Sequence, residues 1–107
     1  MSIDAQAGTR AALAIEGELT GRRAEELRQR VLGALERPET LELDLGRVTG
    51  CDSAGVQLLL LAKARSQQER KHLRLVNHSP AILDVFRLLD LASWFGDPLP
   101  EGWRAAA

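Results

Sequence analysis

The segment CDSAG, residues 51–55, places a thiol, a carboxylate and a hydroxyl directly before the apolar run VQLLLLA. Ser53 is predicted to lie where a loop enters a helix, so its side chain can cap free backbone amides there. The positive end of the helix dipole also favours an anion at this position. The residues therefore leave two interpretations open: a simple helix cap at Asp52 and Ser53, or a hydroxyl that another protein reads or modifies.

A phosphate on Ser53 would change the charge of this segment strongly. It would add about −1.5 to −2 charges beside Asp52, in a chain whose formal net charge is only −1. Like charges this close repel each other, so we expect an interface formed by this edge to be disturbed. Gly55 keeps side-chain bulk away from the same helix entrance.

The other chemistry-bearing residues favour a protein that is not an enzyme. The sequence has no GxxxxGK[ST], GxGxxG, GxSxG or HExxH motif. His72 and His78 lack companions at metal-ligand spacing, so neither a metal site nor a cofactor is expected. Cys51 is a poor nucleophile because the adjacent carboxylate raises the pKa of its thiol, and a structural, partly buried thiol is predicted instead.

Composition narrows the class of protein. The chain has 107 residues, of which 45% are hydrophobic and 27% charged, and this predicts one ordinary domain spanning residues 1–107. Interspersed charges with a near-neutral sum argue against a nucleic-acid partner. No signal peptide and no apolar run of membrane-spanning length is recognised, so we expect a cytoplasmic protein without membrane insertion. The single cysteine excludes an internal disulfide.

Strand and helix patterns alternate around the CDSAG segment. Apolar residues at every second position predict strands at residues 9–19, 40–45 and 72–77. Spacings of three and four predict helices that begin at Thr20, at Ser53 and after Ser79, the second of them running over residues 53–70.

Punctuating residues set the limits of these elements. Gly17 is predicted to bend or end the first strand, and Thr20 to cap the first helix with its hydroxyl. Pro38 marks the end of that helix, because the residue before a proline avoids helical geometry. Ser79 is predicted as the cap of the last helix, with Pro80 at its first position.

The element order predicts the fold class. Strand, helix, strand, helix, strand, helix with short joints describes βαβ units. We therefore expect an α/β fold, a mixed sheet with a parallel core and helices packed against it. Its core is predicted to span residues 10–98, with flexible termini.

Several stretches resemble one known family. ALAIEGELT, LELDLGRVTGCDSAGVQLLLLAKA, LRLVNHSPAILDVFRLLDL and FGDPL are similar to STAS domains, the fold of bacterial anti-sigma factor antagonists. In phosphorylatable members, the hydroxyl residue after the aspartate accepts phosphate from an ATP-dependent serine kinase that is also the binding partner. The resemblance therefore implies Ser53 as the phosphorylation site and a serine kinase or anti-sigma factor as the partner.

The resemblance also implies a partner-binding surface and alternative partners. The surface comprises the residues of the loop and the first turn of the helix together with the residue after GEL, namely Asp52, Ser53, Ala54, Gly55, Gln57 and Thr20. The segments VQLLLLAKA and FGDPL are similar to those of STAS proteins that take part in envelope lipid transport or chemotaxis. The alternatives are therefore a small subunit that docks onto the ATPase of a phospholipid-transporting ABC complex, and an adaptor that binds a chemotaxis protein.

Overall fold

The computed structural model describes residues 9–90. Three strands and three α-helices alternate in these residues, with a 3-10 turn at Gly21–Arg23 before the first helix. In chain order they are β1 Arg10–Leu19, α1 Ala24–Ala34, β2 Thr40–Cys51, α2 Ser53–Gln68, β3 His72–Val76 and α3 Pro80–Leu89.

The three strands form a parallel sheet in the order β1-β2-β3. Leu43 of β2 lies opposite Leu13 of β1 and opposite Leu75 of β3, so the alternating leucines of neighbouring strands are in register. Helices α1 and α2 connect the strands, since parallel neighbours need a crossover. The expected α/β class with a parallel core is confirmed; residues 9–90 contain no antiparallel strand that would make the sheet mixed.

The period-two alternation in the strands produces the core. Leucines on β2 at 41, 43 and 45 are almost fully buried while the residues between them are only partly covered. Helix α1 packs against β1 and α2, and α3 packs against β2. The core side chains that are less than 2% exposed include Ile15, Leu19, Leu27, Leu35, Leu41, Leu43, Leu45, Leu59, Leu75, Ile82 and Phe86.

Strand β2 extends further than the sequence predicts. The expected end at residue 45 is wrong, because β2 continues to Cys51 and pairs there with the end of β1. The alternation of buried residues pauses at Gly46 and Arg47 and resumes at Val48. A pattern with this interruption looks like the end of a strand.

Gly17 produces an irregularity in β1 without ending it. Its φ is +85°, a left-handed conformation that glycine adopts without strain. The pairing register between β1 and β2 shifts on both sides of this position. The guanidinium of Arg23 donates to the carbonyl oxygens of Glu16 at 2.6 Å and Glu18 at 2.9 Å, so it secures the irregular segment.

The last helix begins as predicted. The Ser79 hydroxyl accepts a hydrogen bond from the Ile82 amide at 3.3 Å, and Pro80 lies at the start of α3. The expected core up to residue 98 and the predicted flexible termini concern, in part, residues outside the described range and stay predictions.

Candidate protein-docking and modification site

Asp52 and Ser53 lie where β2 leaves the sheet. Cys51, the last residue of β2, is opposite Leu19, the last residue of β1, so two strand ends meet beside this loop. Ser53 is the first residue of α2 and is exposed. Its hydroxyl makes no hydrogen bond with any of residues 9–90. An exposed hydroxyl without a hydrogen-bond partner in this range can be reached by another protein.

Asp52 caps the helix, and Ser53 does not. Its backbone is extended, and its Oδ1 accepts a hydrogen bond from the Gly55 amide at 3.0 Å. Its Oδ2 accepts from the Gly21 amide at 3.1 Å, in a segment 31 residues earlier in the chain. Asp52 therefore performs the capping role that the sequence left open between the two residues.

The charge of Asp52 is stabilised by these amides. The hydrogen bond from Gly55, and then the one from Gly21, lower the pKa of the Asp52 carboxyl below its ordinary value. Asp52 is therefore ionised at neutral pH, and any negative group added to Ser53 is placed next to an existing negative charge.

Gly55 is required by the packing of α2 against β1. A Cβ atom at this position would lie 2.1 Å from the carbonyl oxygen of Leu19 and 2.9 Å from its carbonyl carbon. These are backbone atoms, which cannot move aside as easily as the end of a flexible side chain. Gly55 is buried, so it holds the helix entrance against the strand end and offers little surface to a partner.

The prediction that the Thr20 hydroxyl caps the first helix is wrong. Thr20 precedes the 3-10 turn, yet its side chain makes no capping hydrogen bond. The nearby backbone amides have other acceptors. The Arg23 amide donates to the carbonyl oxygen of Thr20 at 3.0 Å, and the Gly21 amide donates to Oδ2 of Asp52. Among residues 9–90, the buried Thr20 Oγ1 has no hydrogen-bond partner. Thr20 nevertheless lies beside the Asp52 loop, because the adjacent residue, Gly21, donates a hydrogen bond to Asp52.

A cleft of about 210 Å³ lies between α1 and α2, next to the Ser53 loop. Its walls combine small and apolar side chains with the charged pair Glu25 and Arg28, whose side chains are 3.6 Å apart. Leu61 is 37% exposed in this region. The residues that line the cleft are Ala24, Glu25, Arg28, Ala54, Gln57, Leu58 and Leu61.

Sequence reasoning found one wall of this cleft and missed the other. Ala54 and Gln57 were expected in the partner surface, whereas Glu25 and Arg28 of α1 were not. The only available signal was that these two residues fall on the polar face of the α1 pattern. That pattern does not show which other helix they face.

Cys51 is half-buried and chemically quiet, as predicted. Burial, and then the neighbouring charge of Asp52, raises the pKa of the Cys51 thiol to about 11. Its Sγ lies 3.6 Å from the carbonyl oxygen of Asp52. A thiol with so high a pKa carries almost no thiolate at neutral pH.

Metal-binding clusters and membrane-spanning helices are both absent from residues 9–90. Within this range, no group of three or more His, Cys, Asp and Glu side chains could hold a metal ion. None of the helices in the same range is both long enough and apolar enough to span a membrane.

Solved structures include several similar folds. The unphosphorylated form of the anti-sigma factor antagonist SpoIIAA is 25% identical with a TM-score of 0.66, covering 87% of this chain and 84% of that chain. A sulfate transporter family protein from Wolinella succinogenes is 18% identical with a TM-score of 0.69, covering 81% of this chain and 71% of that chain. The STAS domain of a SulP transporter from Vibrio cholerae is 23% identical with a TM-score of 0.63, covering 92% and 80%.

The comparisons with protein sequences identify the family. The search of curated proteins finds no match. Among family models, the one described as "Mlab, STAS domain" matches residues 3–99, which is most of the chain. The chain therefore belongs to the STAS domain family.

Proposed function

We propose that this protein is a partner-switching regulator that is controlled by phosphorylation of Ser53. The observation that carries the proposal is the exposed hydroxyl at the start of α2, which makes no hydrogen bond within residues 9–90 while Asp52 caps the helix. Because capping does not depend on Ser53, a phosphate can be added there without removing a contact that holds the fold. The protein is a substrate of a kinase and has no catalytic role of its own.

Charge is the means by which the switch acts. A phosphate adds about −1.5 to −2 charges next to Asp52, whose pKa is lowered, so both groups are negative at neutral pH. The N-terminal end of α2 tolerates the added anion. A partner that docks over this edge meets like-charge repulsion or loses its own contacts, and the unmodified form is the one that binds.

The proposed docking surface extends from the Asp52 loop along α2. It includes Ser53, the exposed Gln57 and the cleft between α1 and α2, with Thr20 beside it. The proposed partner is a serine kinase that also acts as an anti-sigma factor in the cytoplasm. Similarity to the anti-sigma factor antagonist SpoIIAA supports this choice.

Ser53→Asp provides the test in the full chain. Like-charge contacts across an interface cost several kcal/mol, so we expect partner affinity to fall by more than about tenfold. The free energy of unfolding should stay within about 0.5 kcal/mol of wild type, since Ser53 is exposed. Gln68→Glu is the matched control, because it adds a negative charge at the exposed far end of the same helix.

The partner for this measurement is obtained by affinity capture from the native cells with wild-type protein as bait. Mass spectrometry of the native protein should find phosphate on Ser53 under some growth condition. Equal affinity of wild type and Ser53→Asp for the captured partner, together with Ser53 unmodified in all conditions, would contradict the proposal.

A second candidate function is a constitutive subunit of a phospholipid-transporting ABC complex. The family model that matches the chain is described as "Mlab, STAS domain" and does not mention the anti-sigma factor antagonists. This description favours the second function. In that case the same edge docks onto an ATPase subunit and no phosphate is needed. Capture of an ATPase subunit, with Ser53 unmodified in cells, would favour this function over the switch.

A further inference from the structure

Asp52 joins two segments that line opposite sides of the cleft. Its Oδ1 holds the Gly55 amide in α2, and its Oδ2 holds the Gly21 amide in the turn that leads directly into α1. Helix α1 then supplies one wall of the cleft and α2 the other. One carboxylate therefore links the segments that lead into the two walls, directly beside wall residues Ala24 and Ala54.

The two segments are in close contact at this point. A Cβ atom on Gly21 would lie 3.5 Å from the Cβ of Ala54 and 3.9 Å from Oδ2 of Asp52. Ala54 is itself a wall residue of the cleft. A change in the position of Gly21 relative to Asp52 therefore changes the width of the cleft at this end.

The Asp52 amide also donates to the carbonyl oxygen of Leu19 at 3.4 Å, which ties the loop to the end of β1 but not to the turn or to α1. At the far end of α1, Lys71 Nζ donates to the carbonyl oxygens of Leu35 and Glu36.

Within residues 9–90, the bond from Gly21 to Asp52 is the one that joins residues 20–35 to residues 52–68. The remaining contact between α1 and α2 is side-chain packing, and apolar packing is not directional. A hydrogen bond has a preferred distance and angle, so it fixes the relative position of the two helices, which apolar packing alone leaves adjustable.

We propose that Asp52 is a positioning residue that sets the α1 and α2 walls of the cleft in the arrangement that the partner binds. This inference rests on the proposed function for the use of the cleft, and adds that binding depends on a cross-link beside the modified hydroxyl. A preformed cleft avoids the cost of ordering its walls on binding. Asp52 acts by holding the Gly21 and Gly55 amides in place, in addition to any contact that it makes with the partner.

Asp52→Asn separates the two bonds. Asparagine has one carbonyl oxygen, so it keeps one acceptor and remains a good N-cap. Its NH₂ group cannot accept a hydrogen bond from the second amide. Because an N-cap asparagine oxygen accepts from the second or third amide of its own helix, we expect the variant to keep the bond from Gly55 and to lose the bond from Gly21.

Asp44→Asn is the matched control. Asp44 is a carboxylate of β2 that also accepts two hydrogen bonds, from the Gly46 amide at 2.8 Å and from the side-chain amide of Asn77 at 3.2 Å. It does not line the cleft. The same chemical replacement is thus made in the strand that precedes Asp52, away from the two walls.

The first measurement needs no partner. In NMR spectra of the isolated protein, Asp52→Asn should speed hydrogen exchange at the Gly21 amide by about tenfold or more. Residual dipolar couplings should show a changed angle between α1 and α2. Asp44→Asn should leave both quantities as in wild type. Unchanged exchange and an unchanged angle in Asp52→Asn would overturn the proposal.

The second measurement uses the partner captured with wild-type bait. Affinity should fall by about tenfold for Asp52→Asn and stay unchanged for Asp44→Asn. An unchanged affinity for Asp52→Asn would overturn the inference, and a loss for Ser53→Asp alone would leave the proposed switch standing. A loss for Asp52→Asn alone would support the inference and contradict control by phosphate.

Discussion

At the level of single residues, the helix entrance separates two tasks between neighbouring side chains. Asp52 accepts the Gly55 and Gly21 amides, while Ser53 lies exposed without a hydrogen bond inside the described range. The side chain that stabilises the entrance is thus not the one that could be modified. A covalent change at Ser53 alters the surface and leaves the cap in place.

The sequence predicted this loop but not the division of tasks within it. Aspartate and serine are both strong cap formers, and which of them caps depends on the residue at which the helix begins. A start one residue later would exchange their roles. Gly55 was predicted to reduce bulk at the entrance, yet only the fold shows that the backbone of Leu19 is what it approaches.

Gly55→Ala tests this close approach. The added methyl group would lie 2.1 Å from the Leu19 carbonyl oxygen, so α2 or the end of β1 must shift. We expect a loss of about 1–3 kcal/mol or more in the free energy of unfolding, measured by urea denaturation.

Gly33→Ala is the control for that substitution. Gly33 lies in α1, and a Cβ there would meet nothing within 4 Å. Alanine is the better helix former, so a gain of about 0.5–1 kcal/mol is expected. Equal effects at Gly33 and Gly55 would show that the contact with Leu19 has no energetic weight.

The reactivity of Cys51 gives a prediction on pH. Its pKa is raised to about 11, whereas a free thiol titrates at about 8.5. The folded protein should therefore react with iodoacetamide much more slowly than the urea-unfolded chain at pH 8, because the thiolate is the nucleophile.

The same shift fixes the sign of its effect on stability. A thiol whose pKa is higher in the folded state stabilises the fold at pH values below the pKa of the thiol in the unfolded chain. This contribution is lost as the pH rises towards 11. Equal alkylation rates for folded and unfolded chains at pH 8 would contradict the burial of the thiol.

At the level of elements, the irregular end of β1 decides where the site is placed. Gly17 shifts the register, and β1 then continues until Leu19 lies opposite Cys51. Without this continuation β1 would end before the Asp52 loop. The sequence predicts a strand over residues 9–19 that Gly17 bends or ends, and the structure shows that Gly17 shifts the pairing without ending the strand.

Arg23→Ala tests what holds that segment. The Arg23 guanidinium donates to the carbonyls of Glu16 and Glu18, and hydrogen bonds that involve a charged group contribute about 1.5–3 kcal/mol. Because the side chain is 27% exposed, we expect a loss nearer about 1–2 kcal/mol in urea denaturation.

Arg22→Ala serves as the comparison. Arg22 is the exposed neighbour in the same turn, and its replacement should change the free energy of unfolding by less than about 0.5 kcal/mol. Amide exchange at residues 17–19 should rise only in Arg23→Ala. A similar response of both variants would mean that the guanidinium does not secure β1.

At the level of the whole molecule, the order of elements was predictable and the cleft was not. Periods of two and of three to four are local properties, so a short window is enough to recognise each strand and helix. The cleft brings Arg28 of α1 together with Gln57 of α2. Whether Arg28 and Gln57 line the same cleft depends on how two helices that are distant in the chain pack together. The sequence around neither residue indicates this packing.

Leu43→Ala tests the centre of the fold. Leu43 is fully buried on the middle strand and faces a leucine on each neighbouring strand. Removing a buried leucine side chain costs about 2–5 kcal/mol, and circular dichroism should show this loss in thermal and urea unfolding. Leu88→Ala, at a side chain that is 82% exposed, should change stability by less than about 0.5 kcal/mol.

The strands of the described sheet lie side by side in the order in which they occur in the chain. A nascent polypeptide can therefore pair β1 with β2 before β3 has emerged from the ribosome. Within residues 9–90, no later strand has to insert between two that are already joined. Each new strand adds to an open edge, so assembly from the N-terminal side needs no earlier pairing to be undone.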